Sequence, residues 1–368
     1  MITPEHQPDL PPPLISVGVL GWLHKNLFSS FFNTILTFFC LYLLSLIIPP
    51  VVQWAFINAD WIGQSNEACN SGGACWVFIN VRLSQFIYGF YPPEEYWRVN
   101  LAFLLLVLLV IALLIDNFPH KGWLTVFTLV GYPIIAFYLF YGGVFGLEVV
   151  ETNKWGGLTL TLILATIGIV LSLPLGILLA LGRRADNMPI VKSLCIVFIE
   201  FWRGVPLITV LFMASVMLPL FLPEGANFDK LLRALIGIVL FESAYMAEVV
   251  RGGLQAIPKG QYEAAEALGF GYWKRTLLII LPQALKLVIP GIVNNFISLF
   301  KDTTLVLIIG LFDLLAVVQA AFADPHWLGY VLEGYVFVAV IYWIFCFSMS
   351  RYSQHLENKL HTGHNKHN

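Results

Sequence analysis

Several ionisable side chains lie inside long apolar runs of the sequence, where a charge is costly and is usually either paired or functional. Glu242 occupies the middle of the run 231–250, and Tyr245 lies three residues further on, on the same face of a helix. Lys301 and Asp302 close another apolar run. Side chains of both signs in apolar surroundings could line a path for a charged solute, or they could hold helices together as internal ion pairs.

Two acid–base pairs have the three-residue spacing that brings side chains together on one face of a helix. They are Glu200 with Arg203 and Glu248 with Arg251. The simplest interpretation is that these four residues form structural ion pairs. Arg203 has a second interpretation, because a guanidinium inside a bundle could also receive a carboxylate.

The sequence carries no pattern typical of catalysis or of metal binding. A His-Glu-x-x-His zinc pattern, a Gly-x-Ser-x-Gly nucleophile turn and paired aspartates are all absent, and most histidines lie near the termini. The phosphate-binding pattern Gly-x-x-x-x-Gly-Lys-Ser/Thr is absent as well. We therefore predict a chain with no catalytic residue, no metal ligand and no nucleotide site of its own.

The composition is that of a membrane protein. Hydrophobic residues make up 58% and charged residues 11% of the 368 residues, and the mean hydropathy is +0.80. Soluble domains contain about 25% charged residues, so we predict an all-α polytopic bundle of about eight transmembrane helices. A net charge of −2 gives no indication of nucleic-acid binding. The predicted spans are 27–48, 99–115, 123–141, 157–181, 195–221, 231–250, 283–300 and 330–349.

The fifth and seventh of these spans contain helix breakers that we expect to bend the chain. Gly204, Val205 and Pro206 interrupt the fifth span, and Pro290 lies within the seventh. Proline removes a backbone donor and clashes with the preceding turn, so we expect bends there, either as hinges or as static kinks. The run 305–322 is also apolar, and we expect it to enter the membrane only partly, as a gate-forming helix.

Basic residues indicate the orientation of a membrane protein, because loops rich in Lys and Arg stay in the cytoplasm. With eight spans, most basic residues fall on the side that holds both termini. We therefore predict cytoplasmic termini, with the segment 251–282 on the same side and the polar loop 53–97 outside. Cys69 and Cys75 fall in that outer loop, where they could form a small disulfide loop in an oxidising compartment; unpaired thiols are the alternative.

A stretch of soluble composition separates the sixth and seventh spans. Its pattern is Glu-Ala-Ala, three residues, Gly, nine residues, and Ile-x-Leu-Pro. Alanine favours a helix, glycine can end it in a turn, and proline is tolerated at the start of the next helix. The pattern predicts two short helices at an angle on the membrane surface. Its fixed positions are Glu263, Ala264, Ala265, Gly269, Ile279, Leu281 and Pro282.

This pattern resembles the cytoplasmic EAA loop of ABC importer permeases, with every spacer length matched. The flanking sequences Arg251-Gly252-Gly253 and Leu299 to Leu305 are similar to the polar amino acid branch of that family. The resemblance implies a type I permease core of five spans over 155–351, with its coupling loop at 251–282. The remaining parts would be a tail at 1–26, a three-span extension at 27–154, similar to the long-form permease of general L-amino-acid importers, and a tail at 352–368.

The resemblance also implies a function and partners. The chain would be the inner-membrane permease subunit of an ATP-driven importer of polar or general L-amino acids. It would bind no cofactor itself, because a separate ATPase, present in two copies, would use ATP and Mg²⁺. Further expected partners are a second, related permease, a periplasmic amino-acid-binding protein, the amino acid and membrane lipid. The expected ATPase-coupling residues are Glu263, Ala264, Ala265, Gly269, Lys274 and Arg275.

A free amino acid carries an ammonium and a carboxylate, so its path needs an acceptor and a donor. Glu242, with Tyr245 beside it, could accept the ammonium, and Arg203 or Lys301, which is followed by Asp302, could bind the carboxylate. An ion-coupled secondary transporter with Glu242 as its proton site is the alternative. The sequence leaves open which amino acids are carried, whether the partner permease is identical, and what the first three spans do.

Overall fold

The computed structural model describes residues 18–115, 118–221, 223 and 228–360. These residues form sixteen α-helices joined by short turns, with isolated bridges and no extended strand among them. The all-α prediction is confirmed. The predicted tails at 1–26 and 352–368 lie partly outside the described residues, and the part from residue 18 onwards is helical rather than irregular.

The helices follow one another with few long connections. The first seven are α1 (Gly18–Leu27), α2 (Phe31–Val52), α3 (Trp76–Tyr88), α4 (Tyr96–Leu114), α5 (Lys121–Val126), α6 (Tyr132–Tyr141) and α7 (Gly157–Arg183). The remaining nine are α8 (Pro189–Gly204), α9 (Leu207–Phe212), α10 (Lys230–Ala256), α11 (Lys259–Ala267), α12 (Tyr272–Arg275), α13 (Leu281–Leu287), α14 (Ile289–Asp302), α15 (Leu314–Ala321) and α16 (Val331–Leu360). Five-residue π turns lie at Gln53–Ile57, Phe127–Gly131, Met213–Met217 and Thr276–Ile280. Short 3-10 turns lie at Asn66–Ala68, Pro93–Glu95, Thr152–Lys154, Leu218–Phe221, Thr303–Ile309 and Pro325–Trp327.

Six segments of the described chain are long and apolar enough to cross a membrane, and a seventh qualifies if α8 and the segment after it count as one bent span. The six are Phe31–Ile57, Pro93–Leu114, Lys121–Tyr141, Gly157–Arg183, Ile289–Ile309 and Val331–Leu360. Helix α10 has 27 residues, a length of about 40 Å. It is long enough to span, although it carries Arg233, Glu242 and Glu248 in its interior. Counting α10 and the bent pair gives the predicted number of about eight.

A helix is interrupted in the structure at each of the two predicted helix breakers. The chain turns by 101° between α8 and Leu207–Phe221, with Pro206 at the start of the second part. The predicted fifth span is therefore an elbow and not a straight helix. Pro290 lies in the first turn of α14, where its missing amide is tolerated. The run 305–322 divides into a 3-10 turn and the eight-residue helix α15, which is too short to cross a bilayer alone.

The chain divides into two compact units, 1–78 and 79–368. The division lies inside α3, well before the predicted boundary between residues 154 and 155. In the second unit, Val99 of α4 and Tyr132 of α6 share one buried cluster with Leu160 and Leu164 of α7. The second and third spans therefore pack with the following helices.

Close packing of α7 against α10 forms the centre of the second unit. A Cβ added at Gly176 would lie 2.7 Å from side-chain carbons of Met246, so the two helices meet where α7 has no side chain. Small residues permit such an approach in lipid, where the hydrophobic effect does not drive helices together. Helix α10 carries four of the candidate site residues, Glu242, Tyr245, Glu248 and Arg251, and this contact holds it against α7.

The first unit contains an apolar helix and a loop that is closed by a disulfide. No residue of α2 is buried, and all of its residues except Thr34 and Thr37 are exposed. Cys69 and Cys75 form a disulfide, with their Cα atoms 5.5 Å apart. Asp60 accepts hydrogen bonds from the hydroxyl and amide of Ser71 at 2.7 and 3.1 Å, and these bonds hold the pKa of Asp60 below its usual value.

The disulfide predicts a simple count of reactive thiols. Of the five cysteines, Cys40, Cys195 and Cys346 are free. Alkylation of the denatured protein, read by mass spectrometry, should label three cysteines before reduction and five after it. In Cys69→Ser, all four remaining cysteines should be labelled without reductant, and loss of the cross-link should destabilise its loop by about 2 kcal/mol. Five labelled cysteines in the unreduced protein would contradict the pairing.

Candidate coupling and transport sites

The segment between α10 and α14 folds into two short helices joined at Gly269. Helix α11 ends in a turn in which the amide of Phe270 donates to the carbonyl of Ala265 at 3.1 Å and the amide of Gly269 donates to that of Glu266 at 2.8 Å. Gly269 has φ +76°, a conformation that costs other L-residues roughly 1–2 kcal/mol. The glycine of the Glu-Ala-Ala pattern therefore supplies the turn that separates α11 from α12.

The two faces of this segment differ. Ala265 is buried against the bundle, whereas Glu263, Ala264, Gly269 and Lys274 are exposed. Two large apolar side chains lie on the exposed side, with Leu268 75% and Trp273 59% accessible. An exposed apolar patch with polar residues around it is typical of a protein interaction site.

Arg275 is placed differently from the other predicted coupling residues. Its side chain is only 16% exposed and forms an ion pair with Glu266, so it joins α12 to α11 within the segment. Because that contact is internal, Arg275 is not part of the exposed surface that the other predicted coupling residues share.

A cluster of charged residues lies where α7, α8 and α10 meet, and Glu248 is its centre. The Glu248 carboxylate accepts a hydrogen bond from Arg183 at 2.7 Å and another from Arg251 at 2.7 Å. The Arg203 guanidinium is 3.9 Å away. The predicted Glu248–Arg251 pair is present, as part of a cluster that joins three helices.

The predicted Glu200–Arg203 pair is not formed among the described residues. Glu200 accepts a hydrogen bond from Arg183 at 2.9 Å, and Arg203 lies near Glu248 instead. Arg183 comes from α7, 17 residues before Glu200. A partner on a neighbouring helix replaces the local one, because the end of α7 brings a guanidinium between the carboxylates of α8 and α10.

Glu242 and Tyr245 lie on one face of α10. Glu242 is buried, with 4% of its surface exposed, and it has no hydrogen-bond or ion-pair partner among the described residues. The Arg203 guanidinium stands over the Tyr245 ring at 5.6 Å from its centre. The Glu242 carboxylate is close enough to Asp302 for their charges to interact. The structure thus brings four of the predicted path residues to neighbouring positions.

Lys301 lies apart from the other predicted residues of the substrate path. It is exposed near the end of α14, and no contact joins it to Glu242 among the described residues. The described residues also contain no group of three His, Cys, Asp or Glu side chains that could hold a metal ion.

Three buried polar residues were not singled out from the sequence. Arg98 is fully buried and donates to Glu95 at 2.6 Å and to the carbonyl of Glu148 at 2.7 Å. Arg233 donates to the carbonyl of Ser215 at 2.5 Å. Asp313 caps α15, with its carboxylate accepting from the amide of Ala316 at 3.0 Å. An Asp directly before a short apolar run is a pattern typical of a helix start. Of these three buried residues, Asp313 is therefore the one whose role could have been predicted from the sequence.

The cluster predicts that loss of the Glu248 charge destabilises the helix junction. In Glu248→Gln, three arginines lose their shared acceptor, and we expect a loss of about 2 kcal/mol, since the carboxylate is largely buried. Thermal unfolding in detergent measures this as a lower midpoint. Asp186→Asn is the matched control, because its pair with Lys192 is exposed on both sides and surface pairs contribute little. Equal midpoints for the two variants would contradict the central role of Glu248.

Comparison with known proteins identifies the family. Residues 172–362 match the family model described as "Binding-protein-dependent transport system inner membrane component". The chain is 60% identical over 352 residues to the inner membrane amino-acid ABC transporter permease protein YhdY of Escherichia coli, covering 96% of each chain. It is 42% identical to the glutamate/glutamine/aspartate/asparagine transport system permease protein BztC of Rhodobacter capsulatus, again over 96% of each chain.

A solved structure titled as an amino acid ABC transporter with histidines matches at 29% identity and a TM-score of 0.49, over 55% of this chain and 92% of that one. The family model and the two full-length relatives lead to one conclusion. The chain belongs to the family of inner membrane permeases of binding-protein-dependent ABC transporters, and its close relatives are amino-acid permeases.

Proposed function

We propose that the chain is a permease subunit of an ATP-driven importer for polar or general L-amino acids. The observation that carries this proposal is the structure of the segment formed by α11 and α12. One side of this segment is buried, and its other side exposes charged and apolar side chains. Both full-length relatives are named for amino-acid transport, and one is named for glutamate, glutamine, aspartate and asparagine. These names support a polar amino acid as the cargo.

The exposed surface of the coupling segment is the proposed contact with a separate ATPase. The sequence lacks a phosphate-binding loop, so ATP and Mg²⁺ would be bound by that subunit, in two copies, and this chain would not hydrolyse ATP. Leu268 and Trp273 are suited to fill an apolar groove, since large buried side chains dominate the energy of protein interfaces. Glu263 and Lys274 would add charged contacts at the rim.

The orientation follows from the position of this segment. An ATPase works in the cytoplasm, so α11, α12 and the C-terminal end of α10 would lie there. The first turn of α10, about 40 Å away, would then face the periplasm. The disulfide between Cys69 and Cys75 supports an outer position for that loop, because disulfides persist in oxidising compartments. Both termini would be cytoplasmic.

The remaining partners are a periplasmic binding protein and a second permease. The family description names binding-protein-dependent transport, so a soluble protein would deliver the amino acid. We propose that the second permease is a related but different chain, and that this chain is the long form. The two relatives support the long form, because the chain covers 96% of each of them, including the first three spans.

The substrate path would run along the face of α10 that holds Glu242 and Tyr245. A buried carboxylate without a partner is costly, and the ammonium of an amino acid would compensate it. Arg203, near Tyr245 and only loosely held by Glu248, would be the donor for the carboxylate. The Asp302 carboxylate would add a second negative charge near Glu242 and so favour a cation there. Lys301 would reach the substrate path only after a rearrangement of the helices.

The coupling role of Gly269 can be tested by a charged substitution. In Gly269→Asp, the φ of +76° disfavours the new side chain by up to roughly 1–2 kcal/mol, and a negative charge is added to the exposed turn between α11 and α12. We expect ATP-dependent amino acid uptake into proteoliposomes to fall by about tenfold or more. The assay uses the co-purified complex with its binding protein.

Gly271→Asp is the matched control. Gly271 has φ −67° and is the N-cap of α12, a position at which Asp is favoured. Uptake should therefore remain close to that of the wild type. A fall of equal size in both variants would indicate that charge rather than backbone conformation is responsible. Uptake that persists without nucleotide in the wild type would instead favour an ion-coupled secondary transporter.

The proposed path predicts a separation of transport from ATP hydrolysis at Glu242. Glu242→Gln removes the charge and keeps the size of a buried side chain, so assembly and basal ATPase activity should be retained. Uptake should fall by about tenfold, because an ammonium loses one charge-assisted hydrogen bond. Glu94→Gln, at an exposed carboxylate, is the control. Unchanged uptake in Glu242→Gln would remove this residue from the path.

A further inference from the structure

Tyr262 precedes the Glu-Ala-Ala pattern by one residue and makes a set of contacts that none of its neighbours shares among the described residues. Its hydroxyl donates to the carbonyl of Leu254 at 3.0 Å and accepts from Nη1 of Arg184 at 3.1 Å. Arg184 Nη1 also donates to the same carbonyl at 2.9 Å. Three groups from the ends of α7 and α10 and from α11 therefore form a closed triangle of hydrogen bonds.

The Tyr262 ring adds two further contacts. The guanidinium carbon of Arg184 lies 5.6 Å from the ring centre, and that of Arg275 lies 5.8 Å from it. Both distances are within the range of a cation–π interaction. Arg275 is in turn paired with Glu266. One aromatic ring thus joins the end of α7 to α12, the second short helix of the coupling segment.

The Leu254 carbonyl explains why these groups meet here. Helix α10 ends at Ala256, so Leu254 is among the last four residues, whose carbonyls have no partner within the helix. The C-terminal end of a helix also carries a partial negative charge, which a guanidinium stabilises. Arg184 and Tyr262 supply the hydrogen bonds and the charge that this end of α10 needs.

The neighbour of Arg184 has a different set of partners. Arg183 binds Glu200 and Glu248, whereas Arg184 binds Leu254 and Tyr262. Two adjacent arginines at the end of α7 therefore connect the charged cluster of the bundle to the coupling segment. Tyr262 therefore gives α11 a contact with the end of α7, in addition to the covalent connection of α11 to α10.

We propose that Tyr262 is a positioning residue that transmits movement of the coupling segment to α7 and α10 together. This inference rests on the proposed function, because it requires an ATPase that moves α11. Without the tyrosine, α11 remains joined to α10 by the connection at Ile257 and Pro258 and packed through Ala265, but the link to the end of α7 is lost. ATP would then be hydrolysed with less transport for each cycle.

The experiment measures transported amino acid per ATP hydrolysed, in proteoliposomes that contain the complete complex and its binding protein. This ratio does not depend on the amount of folded complex, so a variant that merely assembles poorly leaves it unchanged. In Tyr262→Leu, both the hydroxyl and the ring are lost, and we expect the ratio to fall about fivefold. In Tyr262→Phe, the ring stays between the two arginines and Arg184 still reaches Leu254, so a fall of about twofold or less is expected.

Tyr352→Leu is the matched control, because Tyr352 is an exposed tyrosine of α16 outside the coupling segment. Its ratio should equal that of the wild type. A double-mutant cycle with Arg184→Gln then tests the shared route: the loss in the double variant should be smaller than the product of the two single losses, because both changes remove the contact between Arg184 and Tyr262.

Three outcomes would overturn the inference. They are a wild-type ratio in Tyr262→Leu, an equal loss in Tyr352→Leu, and multiplicative losses in the double variant. The failure of the proposed function has a different result, because the wild-type complex would then show no ATP-dependent uptake at all.

Discussion

The Glu248 carboxylate balances three arginines at the junction of three helices, where the side chains are only partly exposed. Arg183 and Arg251 bind it directly, and Arg203 lies at the edge of its reach. Each arginine belongs to a different helix or a different turn, so the one negative charge determines how the ends of α7, α8 and α10 meet. The coupling segment begins at Lys259, eight residues after Arg251, and its position relative to the bundle depends on this junction.

Straight and bent elements pack side by side around that junction. The α7–α10 interface is tight where Gly176 meets Met246, which makes the two helices one body. The segment after α8 is instead bent by 101° from that helix, and the short helix α15 packs into the interior with Leu314, Val317 and Val318 buried. Glu242 and Tyr245 lie on α10, one of the two helices that the tight contact joins.

Local patterns allowed the sequence to predict much of this arrangement. The turn at Gly269, the breaks at Pro206 and Pro290 and the Glu248–Arg251 pair depend on residues within a few positions of each other. The pairing of Glu200 with Arg183, and the packing of the second and third spans against α7, depend on which helices become neighbours. Helical spacing carries no information about that choice, and an apolar helix surface packs against lipid or protein equally well.

The unburied surface of α2 and the charged interior of α10 have consequences for biogenesis. A helix such as α2, with no buried residue, can leave the translocon for lipid as soon as it has been synthesised. Helix α10 cannot, since each charge near the centre of a lone helix costs about 2.5–3.5 kcal/mol on insertion. Because α7 precedes α10 in the chain, Arg183 is already at the membrane when Glu248 emerges. The order of synthesis therefore supplies the counter-charge before the charge that needs it.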